Sequence, residues 1–247
     1  MLDRAKLQWL RGDDFGAVTM TDDRIDCRRL AELYEEFDEL WTRLQAFYLD
    51  AVAGFRFVAS YVQAEQGKAR SFVQGTDMDS EMAQDERIFS YDQIFSDGFC
   101  TSGIHRATQG QAKARNAEGG SNFITLGRVC LISFYDFWED YLRREYVVAK
   151  GHLDQNERRK EIVDPCVATH ASHELWGDIG KLRQGIVHNR GIAGSEVNKC
   201  KLIRWFRPGD EIVLGPQRMH AIFMALLMYR NELHKEQFPQ TSFILGE

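Results

Sequence analysis

Apolar residues recur at steps of three and four along most of this chain, the period of helices that bury one face. From about Cys27 to Gln66 the stripe is Leu30, Leu33, Phe37, Leu40, Trp41, Leu44, Phe47, Ala51, Phe55, Val58 and Val62, which predicts one helix of many turns. Asp22, Asp23 and Asp26 precede it and can cap its N-terminus or complement its dipole. A second stripe, Val129, Ile132, Phe134 or Tyr135, Trp138, Tyr141, Leu142, Tyr146 and Val147, predicts a helix over 122–150 with Ser121 or Asn122 as N-cap. A short charged helix over 154–163 is expected to stop at Pro165. Leu175, Ile179, Leu182 and Ile186 predict a third strong helix over 167–188, ended by Asn189 and Gly191. Met219, Ile222, Phe223, Leu226, Leu227, Arg230 and Leu233 predict a fourth over 216–235, with Pro216 at its first position.

Two stretches depart from this period. Leu202–Phe206 and Glu211–Leu214 are β-favouring runs around Arg207-Pro208-Gly209-Asp210, which predicts a small hairpin before the last helix. Residues 67–121 are punctuated by Gly67, Gly75, Gly98, Gly103, Gly110, Gly119 and Gly120, and loops with one or two short helices are expected there. A stretch of that length reads as an insertion, serving a partner or acting as a mobile cover. The expectation is a single all-α domain over 1–247, a four-helix bundle with a small β element and 67–121 inserted after the first long helix.

Composition narrows the class. An apolar fraction of 44% and a charged fraction of 28% are those of an ordinary soluble globular protein. No run approaches 18 apolar residues and the first residues carry scattered charges, so neither a membrane span nor a secretory signal is expected, and the protein reads as cytoplasmic. Five dispersed cysteines, Cys27, Cys100, Cys130, Cys166 and Cys200, suit reduced thiols better than a disulfide framework. A net charge of −6 argues against a surface coated for non-specific nucleic-acid binding. The distribution is uneven, however. Lys181, Arg183, Arg190, Lys199, Lys201, Arg204 and Arg207 face only Glu196 within 181–207, a local excess of about +6. That segment is either a solvated loop or a phosphate-binding patch.

The chemistry concentrates at Lys181-Leu-Arg183-Gln184-Gly-Ile-Val-His188-Asn189-Arg190-Gly191. Arg183 can grip a phosphate through two parallel hydrogen bonds, and His188 is the side chain suited to proton transfer near neutrality. RNA supplies its own nucleophile, the 2′-hydroxyl, so such a pair is the minimum needed to cut it without a metal. Five residues along a regular helix turn about 140°. Arg183 and His188 therefore share a face only if the helix loosens near Gly185, if His188 sits at a frayed end, or if two copies pool their residues.

Arg183-Gln-Gly-Ile-Val-His-Asn189, followed by Phe206-Arg-Pro-Gly-Asp-Glu-Ile-Val-Leu214 and a closing helix, resembles the HEPN superfamily of prokaryotic helical domains, whose signature is Arg, four to six residues, then His. Ser133-Phe-Tyr-Asp-Phe-Trp-Glu139-Asp-Tyr-Leu142 is similar to the preceding core helix of that family, and the resemblance covers roughly 122–235. It implies a HEPN-like dimeric four-helix bundle, often a metal-independent endoribonuclease of toxin–antitoxin, phage-defence or CRISPR systems. By motif match Arg183 and His188 take the catalytic positions, with Arg183 on the scissile phosphate and His188 as general base or acid. Gln184 stands where many members have Asn, Asp or His. Asn189 can fix the imidazole tautomer, Glu139 can orient Arg183, and Lys181 and Arg190 can assist RNA binding. No cofactor or metal is implied. The expected partners are RNA, a second copy and an antitoxin or defence complex. A catalytically inactive helical interaction module is the alternative, favoured by Gln184 and the acidic net charge.

Other constellations are weaker. Cys166, His170 and His173 fall on one helical face, with Glu174 or Asp178 nearby, but no fourth strong ligand follows and ordinary core or boundary positions fit them better. Arg230 and His234 repeat the Arg-to-His pattern one residue shorter, as a surface pair on the last helix. Phe134–Trp138 and Trp205-Phe206 can stack bases, though such clusters more often fill a core.

Overall fold

A computed structural model of the chain describes residues 25–90, 94 and 107–237, with side chains through 231. The expectations for Asp22, Asp23, Gly98, Cys100, Gly103, Leu233 and the His234 side chain lie outside the described residues.

The chain is mostly helical. Helix α1, Cys27–Val73, runs 47 residues, about 70 Å at the α-helical rise. Asp26 caps it by accepting the Arg29 N–H at 2.9 Å. Its buried face keeps the predicted Leu30, Leu33, Phe37 and Val62, with Leu40, Trp41, Leu44, Ala51 and Phe55 partly buried against the core, and adds Tyr48 and Val52. Phe47 is left 51% exposed. Tyr48 stands five full turns from Leu30 and so on the same face, while Phe47, one residue earlier, is turned about 100° away from it.

The segment 67–121 is more ordered than its glycines suggest. Helix α1 continues to Val73, and a short helix α2, Glu81–Asp85, follows. Strands β1, Ile88–Phe89, and β2, Ala107–Thr108, pair antiparallel, with Ile88 opposite Thr108 and Phe89 opposite Ala107. Helix α3, Gln109–Asn116, begins with a reciprocal capping box between Thr108 and Gln111 and packs on α1. Val62, Phe89 and Ala112 form a small second core there.

Helix α4, Ser121–Phe137, passes through a π-helical turn, Trp138–Leu142, into α5, Arg143–Ala149. Gly120 occupies the N-cap, while Asn122 donates instead to the Asn116 side chain at 2.8 Å. The stretch expected as one helix over 167–188 is two. Helix α6, Lys160–His170, ends at Ala171, and α7, Glu174–His188, starts afresh with His173 Nδ1 accepting the Leu175 N–H at 3.1 Å. Pro165 lies inside α6 instead of stopping an earlier helix. In the second turn it forfeits a single backbone bond, which so short a helix tolerates. Helix α8, Pro216–Gln237, closes the fold as the proline predicts.

Helices α1, α4, α7 and α8 share one apolar core. Phe223 on α8 meets Trp41, Tyr48 and Phe134 edge-on at centroid separations of 5.6–6.2 Å. Trp41 Nε1 also donates to the Phe223 carbonyl at 2.9 Å, fixing α1 against α8. Trp138 stacks on Trp176 at 4.8 Å with the rings nearly parallel, joining the π-helical turn to α7. No helix among the described residues is long and apolar enough to cross a membrane.

The expected hairpin between Leu202–Phe206 and Glu211–Leu214 does not form. The carboxylate of Asp178, 1% exposed, accepts the backbone N–H groups of Lys201, Leu202 and Ile203 at 2.6–3.1 Å, together with Lys181 Nζ at 3.0 Å. Those donors are then unavailable to a ladder. Residues 209–212 pair instead with 191–193, through the Ile192–Glu211 bridge and bonds from Ala193 N–H to the Asp210 carbonyl and from Ile212 N–H to the Gly191 carbonyl.

Candidate functional site

The seam between α4 and α7 carries the Arg-His segment. The two helices run antiparallel, since Gly180 faces Tyr135 while Gly191, eleven residues on, faces Arg128. Small residues set the approach. A Cβ on Gly180 would lie 2.9 Å from the Tyr135 ring, and one on Gly127 would lie 2.2 Å from the Leu214 carbonyl oxygen. The close contact puts Arg183 over α4. Its guanidinium sits 5.8 Å from the Tyr135 ring centroid, and Nη2 is 3.3 Å from Asp136 Oδ1. Its Nε is buried and has no acceptor among the described residues, so the fork is only partly satisfied. The side chain remains 31% exposed.

Glu139 is not the residue that orients Arg183. It is held by Arg143, four residues on, at 2.5 Å, and accepts a bond from the Tyr135 hydroxyl at 3.2 Å. Burial, then the charge and hydrogen bond of Glu139, raise the Tyr135 pKa and keep it a neutral phenol. The i, i+4 spacing of Glu139 and Arg143 was the sequence signal for this pairing. Asp136 takes the role instead, and nothing but the register of α4 against α7 distinguishes the two carboxylates.

His188 is the last residue of α7 and is exposed, with no hydrogen bond to its imidazole among the described residues. The helix stays regular through Gly185, so the loosening that would bring His188 onto the Arg183 face does not occur. Arg183 lies against α4, and His188 stands at the open end. Asn189 does not hold the imidazole: its N–H closes the helix on the Gly185 carbonyl at 3.1 Å, and its amide lies against Gly194. Gln184 is exposed, Lys181 is tied to Asp178, and Arg190 is exposed with φ +55°, the left-handed conformation that turns the chain out of the helix.

Gly191 follows at φ +83°, and a Cβ there would lie 2.5 Å from the Arg128 guanidinium. Arg128, which the sequence pattern does not single out, anchors the turn. It donates to the Ile212 carbonyl at 3.0 Å and the Gly191 carbonyl at 3.3 Å, and pairs with Glu211 at 3.0 Å. The end of α7 is thus built by α4 and by the returning strand 209–212.

The local positive charge is much reduced by tertiary contacts. Lys181 pairs with Asp178, Arg183 with Asp136, Lys199 with Glu196 and Lys201 with Glu174. Arg190, Arg204 and Arg207 have no ion pair among the described residues. The Cys166, His170 and His173 face does not converge on one point. Cys166 Sγ donates to the His152 carbonyl at 3.2 Å, the His170 ring stacks on His152 at 3.8 Å, and His173 caps α7. Among the described residues no three His, Cys, Asp or Glu side chains group to hold a metal. Burial pushes the thiols of Cys130 and Cys200 up to about 11, which leaves them protonated and poor nucleophiles at neutral pH. Arg230 is ion-paired with Asp38 across the α1–α8 contact.

No protein-family model, no curated protein and no solved structure matches the chain.

Proposed function

We propose that this chain is a HEPN-type, metal-independent endoribonuclease that uses Arg183 and His188, acting as a toxin or phage-defence effector. The observation that carries the reading is the state of the Arg183 fork. It is partly exposed and held by a single ion pair at Nη2, so it can accept a phosphate by exchanging Asp136 for it. Five residues on, at the end of the helix, His188 is exposed and free to serve as a proton carrier.

In the proposed reaction Arg183 binds the scissile phosphate and stabilises the added charge of the pentacovalent transition state. His188 takes the proton from the 2′-hydroxyl, or gives one to the departing 5′-oxygen, and a 2′,3′-cyclic phosphate end results. The angular offset of Arg183 and His188 favours a two-fold dimer in which each cleft draws on both copies. Val129 on α4, Val187 on α7 and Ile192 just beyond it are each 40–47% exposed beside this seam, apolar surface that a second copy would cover.

The test is cleavage of a labelled RNA in excess EDTA. His188→Ala is expected to lose about 10²- to 10⁴-fold in rate. Arg183→Lys is expected to be poor as well, since a point charge does not reproduce the fork. A substrate with hydrogen in place of its 2′-hydroxyls is expected to resist cutting. Equal cutting by a protein with both residues replaced ends the assignment. The Asp136 ion pair, which neutralises Arg183 in the free chain, favours a second reading: an inactive helical module that binds a protein partner, an antitoxin or another defence component. That reading takes over if neither the chain alone nor the chain with its partner cuts RNA.

A further inference from the structure

Arg190, Arg204 and Arg207 have no ion pair among the described residues, and a short antiparallel bridge ties the stretch that carries Arg204 and Arg207 to the exit of α7. Arg190 immediately precedes the 191–193 strand. Arg207 opens a turn closed by the Asp210 N–H on the Arg207 carbonyl at 3.0 Å, with Pro208 and Gly209, φ +93°, at its corner. Gly209 N–H bonds the Ala193 carbonyl, and Ala193 N–H bonds the Asp210 carbonyl, each at 2.8 Å. The antiparallel register ties this turn to the segment that leaves α7, with Arg207 beyond the Ala193 end of the pairing and Arg190 beyond its Gly191 end. Of the acids nearby, Glu211 pairs with Arg128, while Asp210 accepts the Arg207 backbone N–H at 2.7 Å and makes no ion pair with its guanidinium among the described residues. The guanidinium groups of Arg204 and Arg207 are exposed.

Between those two arginines stand Trp205 and Phe206. Phe206 is buried, and Trp205, only partly buried, meets it edge-on at 6.5 Å. Arg218 locks the pair from below. Its guanidinium lies 4.7 Å from the Phe206 centroid and 5.9 Å from that of Trp205, and Nη1 donates to the Val213 carbonyl at 2.8 Å. The indole is therefore held in place by the fold, with charge on both sides of it in the chain. A fixed aromatic flanked by exposed arginines suits a single nucleic-acid strand, whose bases offer π-faces and whose phosphates follow the charge. A duplex keeps its bases stacked on each other and offers no face to an indole.

We propose that Trp205, with Arg204 and Arg207, forms a ledge that holds unpaired nucleotides of an RNA strand on the stretch tied to the α7 exit, one base stacking on the indole. The ledge rests on the RNA-cleaving reading but makes a separate claim: it selects single-stranded substrate and binds it whether or not His188 acts.

The test uses the full chain and a fluorescent, fully 2′-O-methyl oligonucleotide of about ten nucleotides, which cannot be cut by its own 2′-oxygen. Fluorescence anisotropy reads binding. Trp205→Ala is expected to weaken it about 5- to 100-fold, while Trp205→Phe keeps most of it. Arg207→Gln is expected to lower the slope of log affinity against log salt by about 0.7. The annealed duplex of the same sequence is expected to bind at least about tenfold more weakly than the single strand. Parent-like binding by Trp205→Ala and by Arg204→Gln/Arg207→Gln overturns the ledge, as does equal affinity for the duplex. The arginines are exposed, so their replacement tests the ledge even if Trp205→Ala melts early. Tight, Trp205-dependent binding without cleavage of natural RNA leaves the ledge standing and removes the catalytic reading. Cleavage with Trp205-independent binding does the reverse. No binding by the parent chain sinks the ledge.

Discussion

Arg183 Nη2 meets Asp136 Oδ1 at 3.3 Å across the α4–α7 seam, while Arg183 Nε has no acceptor among the described residues. In the proposed reaction an incoming phosphate replaces this carboxylate, so the two anions would compete for one fork. Asp136→Asn removes the competing charge and keeps the shape. Binding of a short single-stranded RNA is expected to tighten by up to about fivefold, the scale of a partly exposed ion pair. Anisotropy titration checks it, and weaker binding by the variant would mean that Asp136 positions Arg183 for RNA instead of occupying it.

Two copies of the chain are expected to associate through the α4–α7 face at micromolar concentration. Val129→Glu with Val187→Glu puts four like charges into that interface, counting both copies, and is expected to give monomers that keep their thermal midpoint, since both valines are nearly half exposed in the single chain. Light scattering decides. A parent protein that stays monomeric, with and without RNA, rules out a composite cleft.

Asp178 links stability to pH. Its burial alone would raise the pKa, but the N–H groups of Ile203 and Leu202, with Lys181 and the N–H of Lys201, lower it below the ordinary value of 3.8. The charged form therefore stabilises the fold fully above the unfolded-state pKa, and that contribution is lost as pH falls through the lower folded-state value. Asp178→Asn is expected to cost about 3 kcal/mol or more at pH 7, where backbone donors face an amide instead of a carboxylate. The gap between parent and variant narrows below about pH 4. Urea unfolding at pH 7 and pH 3 measures both gaps, and an unchanged gap would separate Asp178 from the pH dependence.

Three glycines are expected to respond in opposite directions to alanine. At Gly191 the positive φ and the Arg128 guanidinium at 2.5 Å predict a loss of about 1–3 kcal/mol. At Gly127 the Leu214 carbonyl at 2.2 Å predicts a loss of similar size, despite alanine's better helix propensity. Gly54 lies in α1 with nothing within 4 Å of an added Cβ, so Gly54→Ala is expected to stabilise by about 0.4–1 kcal/mol. Thermal melts of the three proteins order them, and a destabilising Gly54→Ala would show that α1 needs its glycine.

Helical period and end signals made the long elements legible. The Leu30–Phe37 row, the row from α4 through Trp138 into α5, Pro216 at the start of α8 and Asn189–Gly191 after α7 are local features: a 3.6-residue repeat, a fixed proline φ, a left-handed exit. The chain contains them before it folds. What failed was non-local. The hairpin over 202–214 was a sound reading of β-favouring runs around Pro-Gly-Asp, but Asp178, more than twenty residues upstream, captured the donors at 201–203. Residues 167–188 carried one continuous stripe, yet the His173 side chain restarts the helix. The site divides the same way. Arg183 and His188 were visible as residue types at a spacing, and their 140° offset followed from helix geometry alone. The carboxylate that answers Arg183 was not, because Asp136 and Glu139 share a face of the same helix and only the packing of Gly180 on Tyr135 sets the register that selects one. Nor was the loss of the basic patch, since four of its seven cations are paired, three of them with acids from outside the segment. Sequence distance does not report spatial distance, and Coulomb interactions depend only on the second.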